Sequence, residues 1–205
     1  MSFPDGWTRE TPAPGLVCYQ PRRGYRYGVE AYALAAFALD PLPVRALDLG
    51  TGSGIVALLM ASRGVAVTGI ERDERWAEGW ERSVAESGLT LRLLRGDVRN
   101  LPLPSVDVAV ANPPWFDPAA GPRSPDDHKA NARTALAGGP AEFVAAGLRC
   151  APRVCVVVPA SVGLPNVPDA GLRRRARVGG LLLGEYVVGP SICEEVAVDP
   201  YARFR

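Results

Sequence analysis

The chain passes from a predicted strand to a predicted helix at Asp48-Leu49-Gly50-Thr51-Gly52-Ser53-Gly54. Glycines at such a turn permit positive φ and let the backbone approach a ligand closely. Gly54 comes two residues after Gly52, so the spacing is not the dinucleotide-binding G-x-G-x-x-G. No Gly-Lys-Ser/Thr follows, which excludes a phosphate-binding P-loop. The stretch therefore predicts a nucleotide-type site at the carboxyl end of a strand.

Strand and helix patterns alternate on both sides of this turn. Short apolar runs predict five strands, at Arg45–Leu49, Ala66–Ile70, Leu89–Leu94, Val106–Ala111 and Arg153–Val158. Helices are predicted at Val29–Leu39, Ile55–Arg63, Asp73–Ser87 and Pro140–Leu148. This alternation is typical of a parallel α/β sheet, and the fully apolar fourth run predicts a central strand.

The two ends of the chain follow a different pattern. Residues 1–15 predict an irregular arm, and Leu16–Gln20 predicts a short strand. Near the other end, Gly180–Val188 and Glu194–Val198 predict two strands joined by a turn around Gly189-Pro190, which would add an antiparallel hairpin. Because no repeat or linker divides the 205 residues, the sequence predicts one domain.

Composition limits the classes of function. The net charge of +1 gives no overall attraction to nucleic acid or to an anionic membrane, so a polyanion site would need local clusters. The four cysteines form no C-x-x-C pair and there is one histidine, so we expect no metal site. No apolar run reaches membrane-spanning length, and we expect a cytoplasmic protein that does not bind membranes, as a monomer or weak homodimer.

Two carboxylates follow the next two predicted strands. Glu71 ends the second strand, where a carboxylate can accept hydrogen bonds from ribose hydroxyls. Asp97 follows the third strand and is placed to accept from an adenine amino group. Either residue alone could be a solvated carboxylate at a strand end. Together with the glycine turn, at three successive strand ends, they predict a site for an adenosine-containing ligand.

These residues resemble a known family. Residues 48–54 resemble motif I of the class I S-adenosylmethionine methyltransferases, Glu71 matches their ribose-binding acidic residue, and Asp97 matches their adenine contact. The resemblance implies a Rossmann-like α/β fold with a seven-stranded, mostly parallel sheet in the order 3-2-1-4-5-7-6 and helices on both faces. It implies one domain over 1–205, with an arm and cofactor-covering helix at 1–43 and a Rossmann-like core at 44–205.

The resemblance also implies S-adenosyl-L-methionine as cofactor and a set of residues that bind it. That set is Tyr27, Glu30, Asp48, Gly50, Thr51, Gly52, Gly54, Glu71, Arg72, Asp97, Val98 and Asn112.

The fourth predicted strand ends in Ala111-Asn112-Pro113-Pro114-Trp115-Phe116. Two prolines fix the backbone and remove its donors, so this turn offers carbonyl oxygens and a side-chain amide in a fixed geometry. An isolated turn of this kind could simply be a stiffened loop whose tryptophan fills the core. After the fourth strand of a methyltransferase-like sheet, it predicts catalytic roles for Asn112, Pro113 and Trp115.

The chemistry explains this prediction. An amino nitrogen on an aromatic ring, or an amide nitrogen, is a poor nucleophile because its lone pair is delocalised. Two acceptors, Asn112 Oδ1 and the Pro113 carbonyl, could hold its hydrogens and aim the lone pair at the methyl group. Trp115 would stack on the planar target, which contributes ~1–3 kcal/mol per base. No strong general base is needed, so the single histidine, His128, need not be catalytic.

The N-P-P-aromatic motif resembles that of amino-methyltransferases acting on adenine N6, guanine N2 or a glutamine amide. Carbon methylation normally recruits a cysteine nucleophile, and no cysteine follows this strand. The segment Gln20–Glu30 is similar to the entry segment of bacterial tRNA (valine) adenine-N6 methyltransferases, and Asn131-Ala132-Arg133 resembles their Ala-Arg signature. The resemblance implies an RNA substrate, with tRNA favoured.

The predicted substrate-binding residues are Arg22, Arg23, Tyr25, Arg26, Pro114, Phe116 and Arg133. Basic and aromatic residues alternate in the first of these segments, which suits phosphate and base contacts. Arg173-Arg174-Arg175 with Arg177 could extend that surface, or could be solvated arginines on a neutral protein.

Three alternatives stay open. Glutamine-amide methyltransferases of proteins such as release factors share the motif but carry a sizeable helical domain ahead of motif I, for which about forty-five residues are too few. Guanine-N2 methylation of ribosomal RNA is a third possible enzyme activity, after adenine-N6 and glutamine-amide methylation. From another class, the chain could be a catalytically silent methyltransferase-fold subunit that binds RNA. The glycine turn, the carboxylates and the Asn-Pro-Pro-Trp loop together argue for an enzyme.

Overall fold

The computed structural model describes residues 6–115 and 139–205. In chain order the strands are β1 (Trp7–Glu10), β2 (Cys18–Pro21), β3 (Arg45–Leu49), β4 (Ala66–Glu71), β5 (Arg92–Arg95), β6 (Val108–Ala111), β7 (Val154–Pro159), β8 (Ala170–Val178), β9 (Leu181–Val188) and β10 (Glu194–Glu195). The helices are α1 (Val29–Ala38), α2 (Ile55–Ala61), α3 (Ala77–Glu86) and α4 (Pro140–Leu148), and a 3₁₀ turn, Glu74–Trp76, precedes α3.

Within the described ranges, the main sheet has eight strands in the order β10-β8-β9-β7-β6-β3-β4-β5. Strands β7, β6, β3, β4 and β5 run parallel, and β9 is antiparallel to both β7 and β8. This confirms the Rossmann-like methyltransferase fold class predicted from the sequence. The count of seven strands was wrong by one, because the two-residue β10 adds a parallel edge beside β8.

The helices cover both faces of the sheet. Side chains of β6 alternate between the faces, as a pleated strand requires: Val108 and Val110 lie in the cluster with α1 and α2, and Ala109 and Ala111 lie in the cluster with α4. Because the five strands run parallel, they end at one common edge of the sheet, and the loops that follow them lie close together.

The sequence predicted a terminal hairpin, but it assigned the wrong pair of strands, Gly180–Val188 and Glu194–Val198, to it. The hairpin joins β8 to β9 through Gly179-Gly180, and Gly179 has a φ of +57°. A two-glycine turn between paired strands is a recognised hairpin signal, but the arginine run before it lacks the apolar character of a strand. Residues 189–193 connect β9 to the short β10 rather than forming a hairpin turn.

Residues 7–10 form regular structure that the sequence did not predict. β1 lies inside the segment predicted as an irregular arm, and it pairs antiparallel with β2. β2 is attached to α3 by a hydrogen bond from the Tyr19 amide to Ser83 Oγ, at 2.8 Å. Helix α1 packs against α2 and strands β6, β7 and β9 on one sheet face, and none of its residues lines the main cavity, so this position does not support the predicted cofactor-covering role.

The arginine run, Arg173-Arg174-Arg175 with Arg177, contributes to an ion cluster around Glu185. Glu185 on β9 is fully buried and accepts from Arg153 Nη1 at 3.0 Å, Arg174 Nη2 at 2.8 Å and Arg173 Nε at 2.5 Å. Arg175 pairs with Glu195, and Arg177 donates to the Gly179 carbonyl. Each of these arginines thus has a partner within the domain, which argues against the alternative that they extend an RNA-binding surface.

Candidate active site

A cavity of about 640 Å³ opens at the carboxyl edge of the parallel strands. This volume lies in the range of small-molecule and cofactor sites. Most predicted site residues line it: Tyr25, Asp48, Gly50, Thr51, Gly52, Glu71, Arg72, Asp97, Val98, Asn112, Pro113, Pro114 and Trp115. The structure thus brings the glycine turn, the two predicted carboxylates and the Asn-Pro-Pro-Trp loop to one place.

The glycine turn has the conformation that its sequence predicts. Gly50, Gly52 and Gly54 have φ values of +70°, +54° and +80°. The amides of Gly50 and Thr51 both donate to the Ile70 carbonyl at 2.9 Å, which fixes the turn to β4. Gly54 does not line the cavity, and a Cβ there would lie 2.4 Å from the Trp80 ring, so it serves close packing rather than the predicted cofactor contact.

The carboxylate of Glu71 is held by the backbone around it. Its Oε1 accepts from the amides of Arg72 and Asp73, each at 2.8 Å, and its Oε2 accepts from the Gly52 amide at 2.9 Å. A carboxylate has about four acceptor positions, so one remains on Oε2 for a ligand donor. Burial raises the pKa of Glu71 even though these amides favour its charged form.

Asp97 lies in the same wall with arginines around it. Arg99 donates to both of its oxygens, at 2.9 and 2.5 Å, and Arg72 lies 3.7 Å from Oδ2. The hydrogen bonds from Arg99 lower the pKa of Asp97 to about 2, so it is ionised at neutral pH. An ionised carboxylate can accept a hydrogen bond from an amino group, so the adenine contact that the sequence predicts for Asp97 stays a prediction that this geometry allows.

Asp48 is the most deeply buried carboxyl group of the site. Thr51 Oγ1 donates to its Oδ2 at 2.5 Å. Burial raises the pKa of Asp48 to about 7, although the Thr51 hydrogen bond opposes the shift. The folded protein therefore holds this proton more tightly than the unfolded chain does.

A pH dependence of stability follows from this raised pKa. As the pH rises from about 4 to about 7, the unfolded chain releases the Asp48 proton before the folded protein does. The free energy of unfolding therefore falls by up to about 4 kcal/mol. We expect Asp48→Asn to reduce this loss, measured by urea unfolding of the ligand-free protein at several pH values. The loss should not vanish, because the pKa of Glu71 is raised as well.

Asp107→Asn is the matched control for that experiment. The Asp107 carboxylate accepts from the Arg45 and Val44 amides, which lower its pKa, so its titration does not weaken folding as the pH rises. Its substitution should leave the slope between pH 4 and 7 unchanged. An Asp48→Asn protein with the wild-type slope would contradict the assignment of the proton to Asp48.

Asn112 lines the cavity, and its side-chain amide has one satisfied and one unsatisfied end. Its Nδ2 donates to the Tyr25 hydroxyl at 2.7 Å, and its Oδ1 is buried with no hydrogen-bond partner among the described residues. Trp115 Nε1 is likewise buried without a partner there. A buried polar atom without a partner is costly, so both atoms favour a ligand that supplies the missing hydrogen bonds.

Several predicted site residues lie elsewhere. Arg22, Arg23, Arg26, Tyr27 and Glu30 do not line the cavity. Arg22 donates to the Trp7 carbonyl, Arg26 pairs with Glu10, and the Tyr27 ring packs edge-on against Tyr32, so local contacts occupy these three side chains. Phe116 and Arg133 lie outside the described residues.

Sequence reasoning also missed part of the wall. The residues that line the cavity without having been predicted include Ser53, Ile55, Val56, Ile70, Asp73, Arg75, Trp76, Gly96, Phe143, Pro159 and Ser161. Pro159 ends the parallel strand β7 and Ser161 follows it, so the rule that ligands bind at carboxyl strand ends could have found them. Phe143 comes from α4, and only the packed structure places its ring against Gly50.

Within 6–115 and 139–205, no group of three or more histidine, cysteine, aspartate or glutamate side chains is arranged to hold a metal ion. In the same ranges, no helix has the length and apolar character needed to cross a membrane.

Comparisons with known proteins agree with this geometry. Residues 46–121 match the family described as a methyltransferase domain. The chain is 31% identical over 152 residues to the tRNA1(Val) (adenine(37)-N6)-methyltransferase of Serratia proteamaculans, covering 69% of this chain and 58% of that protein. It is 34% identical over 152 residues to the ribosomal protein uL3 glutamine methyltransferase of Bordetella pertussis, covering 64% and 51%.

Among solved structures, the 16S rRNA N2 G1207 methyltransferase RsmC of Thermus thermophilus, in complex with AdoMet and guanosine, superposes with a TM-score of 0.62. The identity is 17%, and the match covers 92% of this chain and 52% of that one, so it bears on the fold alone. The chain spans between half and three-fifths of the length of these two curated relatives.

Proposed function

We infer that this chain, which carries a methyltransferase domain over residues 46–121 in the fold of the class I methyltransferases, transfers a methyl group from S-adenosylmethionine to an exocyclic amino nitrogen. Adenine N6 in tRNA or another RNA is the favoured target. The observation that carries this proposal is Asn112 Oδ1, a buried acceptor without a described partner in the same cavity wall as the glycine turn and Glu71.

The residues present fit the cofactor. The positive φ values at Gly50 and Gly52 bring the backbone to the cavity, Glu71 keeps one acceptor position for a ribose hydroxyl, and Asp97 can accept from an adenine amino group. The bound cofactor would supply an electrophilic methyl group on a sulfonium. The chain itself then needs to bind, to exclude water and to orient the nucleophile.

Asn112 and the proline turn would orient the target nitrogen. Asn112 Oδ1, and the Pro113 carbonyl beside it in sequence, would accept its two hydrogens, which directs the nitrogen lone pair. Such preorganised acceptors act strongly in an enclosed site because they need no reorientation during the reaction. Trp115 lines the same cavity and is the candidate for stacking on the planar substrate.

RNA is favoured over protein as substrate by the similarity to tRNA adenine-N6 methyltransferases, of which the Serratia protein is one. Glutamine-amide methylation is the second candidate, and the similarity to the uL3 methyltransferase favours it specifically. A primary amide also offers a planar NH₂ group, so the acceptors of the Asn112 loop suit both targets.

Labelled methyl transfer separates these candidates. The purified protein is incubated with methyl-labelled cofactor and either total cellular RNA or total cellular protein, and the product is digested and identified by mass spectrometry. We expect label in RNA as N6-methyladenosine. Label in N2-methylguanosine, or label in protein alone, would overturn the adenine assignment, and cofactor binding without transfer to either pool would favour a silent RNA-binding subunit.

A further inference from the structure

A chain of three hydrogen bonds leads from the cavity wall into the N-terminal segment. Asn112 Nδ2 lies 2.7 Å from the Tyr25 hydroxyl, which lies 2.8 Å from Glu30 Oε1. The Gly28 amide donates to the same Oε1 at 2.8 Å. Glu30 is buried at the start of α1, so the start of this helix and the end of β6 are joined through one tyrosine.

The chemistry of the groups sets the direction of each hydrogen bond. The Tyr25 hydroxyl donates its single proton to Glu30 Oε1, the oxygen that also accepts from the Gly28 amide. The Tyr25 oxygen can then only accept from Asn112, which turns the NH₂ group of Asn112 towards Tyr25. The amide oxygen, Oδ1, is left without a partner among the described residues and is the atom that we assign to the substrate nitrogen.

The environment of Tyr25 favours the same direction. Burial, with the nearby charge of Glu30, raises the pKa of Tyr25 well above its usual value, so its hydroxyl keeps the proton that it donates. The Tyr25 contact is the one hydrogen bond that the Asn112 side chain makes among the described residues, so without it no side-chain hydrogen bond within those residues would fix the orientation of the amide.

We propose that Tyr25 and Glu30 are positioning residues that hold the Asn112 amide with its oxygen towards the target nitrogen. The proposal rests on the methyl transfer proposed above and assigns new roles to two residues predicted to bind RNA and cofactor. An inverted amide would present a donor to an NH₂ group, so it would repel the substrate nitrogen instead of orienting it.

Tyr25→Phe tests this proposal because it removes only the hydroxyl. We expect the turnover number to fall roughly tenfold to a hundredfold, the range for a misplaced catalytic group, with cofactor affinity unchanged by calorimetry. Tyr32→Phe is the matched control, since its hydroxyl donates to the Pro12 carbonyl at 2.8 Å outside the cavity. An unchanged turnover number in Tyr25→Phe would overturn the proposal.

Two further comparisons separate positioning from a structural role. Glu30→Gln keeps an oxygen that can accept from Tyr25 and Gly28, so it should restore most of the turnover that Glu30→Ala loses. In an Asn112→Ala background, Tyr25→Phe should add no further loss, because both substitutions act on one group. We call the hydrogen-bonded chain from Glu30 through Tyr25 to Asn112 the relay. Additive losses in the double variant, or equal losses in Glu30→Gln and Glu30→Ala, would contradict it.

A readout independent of turnover keeps the relay distinguishable from the proposed function. In ¹⁵N-labelled protein, the Asn112 side-chain amide signal is identified by its absence in Asn112→Ala. We expect its protons to exchange with solvent faster in Tyr25→Phe than in wild type or Tyr32→Phe. Faster exchange with no methyl transfer by the wild type would refute the function alone, whereas unchanged exchange would refute the relay.

Discussion

Asn112→Ala is expected to lower the rate of methyl transfer by about 10²–10³-fold while leaving cofactor affinity close to that of the wild type. The substitution removes the buried oxygen that has no partner among the described residues, which is the atom we assign to the target nitrogen. The glycine turn, Glu71 and Asp97 are unaltered, so the surfaces assigned to the cofactor remain. Single-turnover kinetics and calorimetry measure the two effects separately.

Asn100→Ala is the matched control, because Asn100 is exposed and does not line the cavity. It should leave both the rate and the affinity unchanged. If Asn112→Ala lost cofactor affinity in parallel with rate, Asn112 would be assigned to the cofactor and not to the nucleophile. A rate within threefold of the wild type would remove the observation that carries the proposed function, since a preorganised polar group contributes about 10²-fold or more.

Glu185→Ala is expected to cost about 3–5 kcal/mol of unfolding free energy, the largest stability loss that we predict. Burial alone would raise the pKa of Glu185, but hydrogen bonds from Arg174, Arg153 and Arg173 lower it, so the group is a buried anion. Its removal leaves Arg153 and Arg174, both buried, without their shared counter-charge. Urea unfolding at neutral pH measures the loss.

The cluster also joins secondary structure that is distant in sequence. Arg153 donates to the carbonyls of Ala38 and Pro41, at 3.0 and 2.6 Å, beside the last turn of α1. Arg174 donates to the Asp40 carbonyl and lies over the Phe37 ring. Carbonyls at a helix end need such partners, so loss of Glu185 should loosen α1 from β7 and β8 as well.

Glu195→Ala provides the control of the same residue type. Glu195 pairs with Arg175 at 3.2 Å, but its side chain is 69% exposed, so the pair contributes at most about 1 kcal/mol. Glu185→Gln keeps the shape and removes the charge, and we expect a loss between those of the two alanine variants. A loss in Glu185→Ala no larger than that in Glu195→Ala would show that the arginines do not need this carboxylate.

The arginine run shows where local pattern misleads. Arg173 to Arg177 carries too much charge to be recognised as a strand, and the sequence placed the hairpin one strand too late. The structure tolerates the charges because Glu185, on the neighbouring strand, meets them at the right register, with Arg174 opposite Glu185. Such compensation depends on pairing between strands, which propensity and hydrophobic period do not encode.

The order of the strands in the sheet was predicted only from the resemblance to class I methyltransferases. The sequence by itself determined the positions of the parallel strands, the helices between them, and the meeting of residues 48–52, Glu71, Asp97 and Asn112 at one edge. These features are local, because each follows from hydrophobic period, turn chemistry and the rule that parallel strands end together. Only the tertiary structure decided that Glu30 reaches Asn112 through Tyr25 and that Glu185 neutralises buried arginines. Both depend on the directions of side chains from distant segments, which are fixed by packing and by the number of hydrogen bonds each buried group can make.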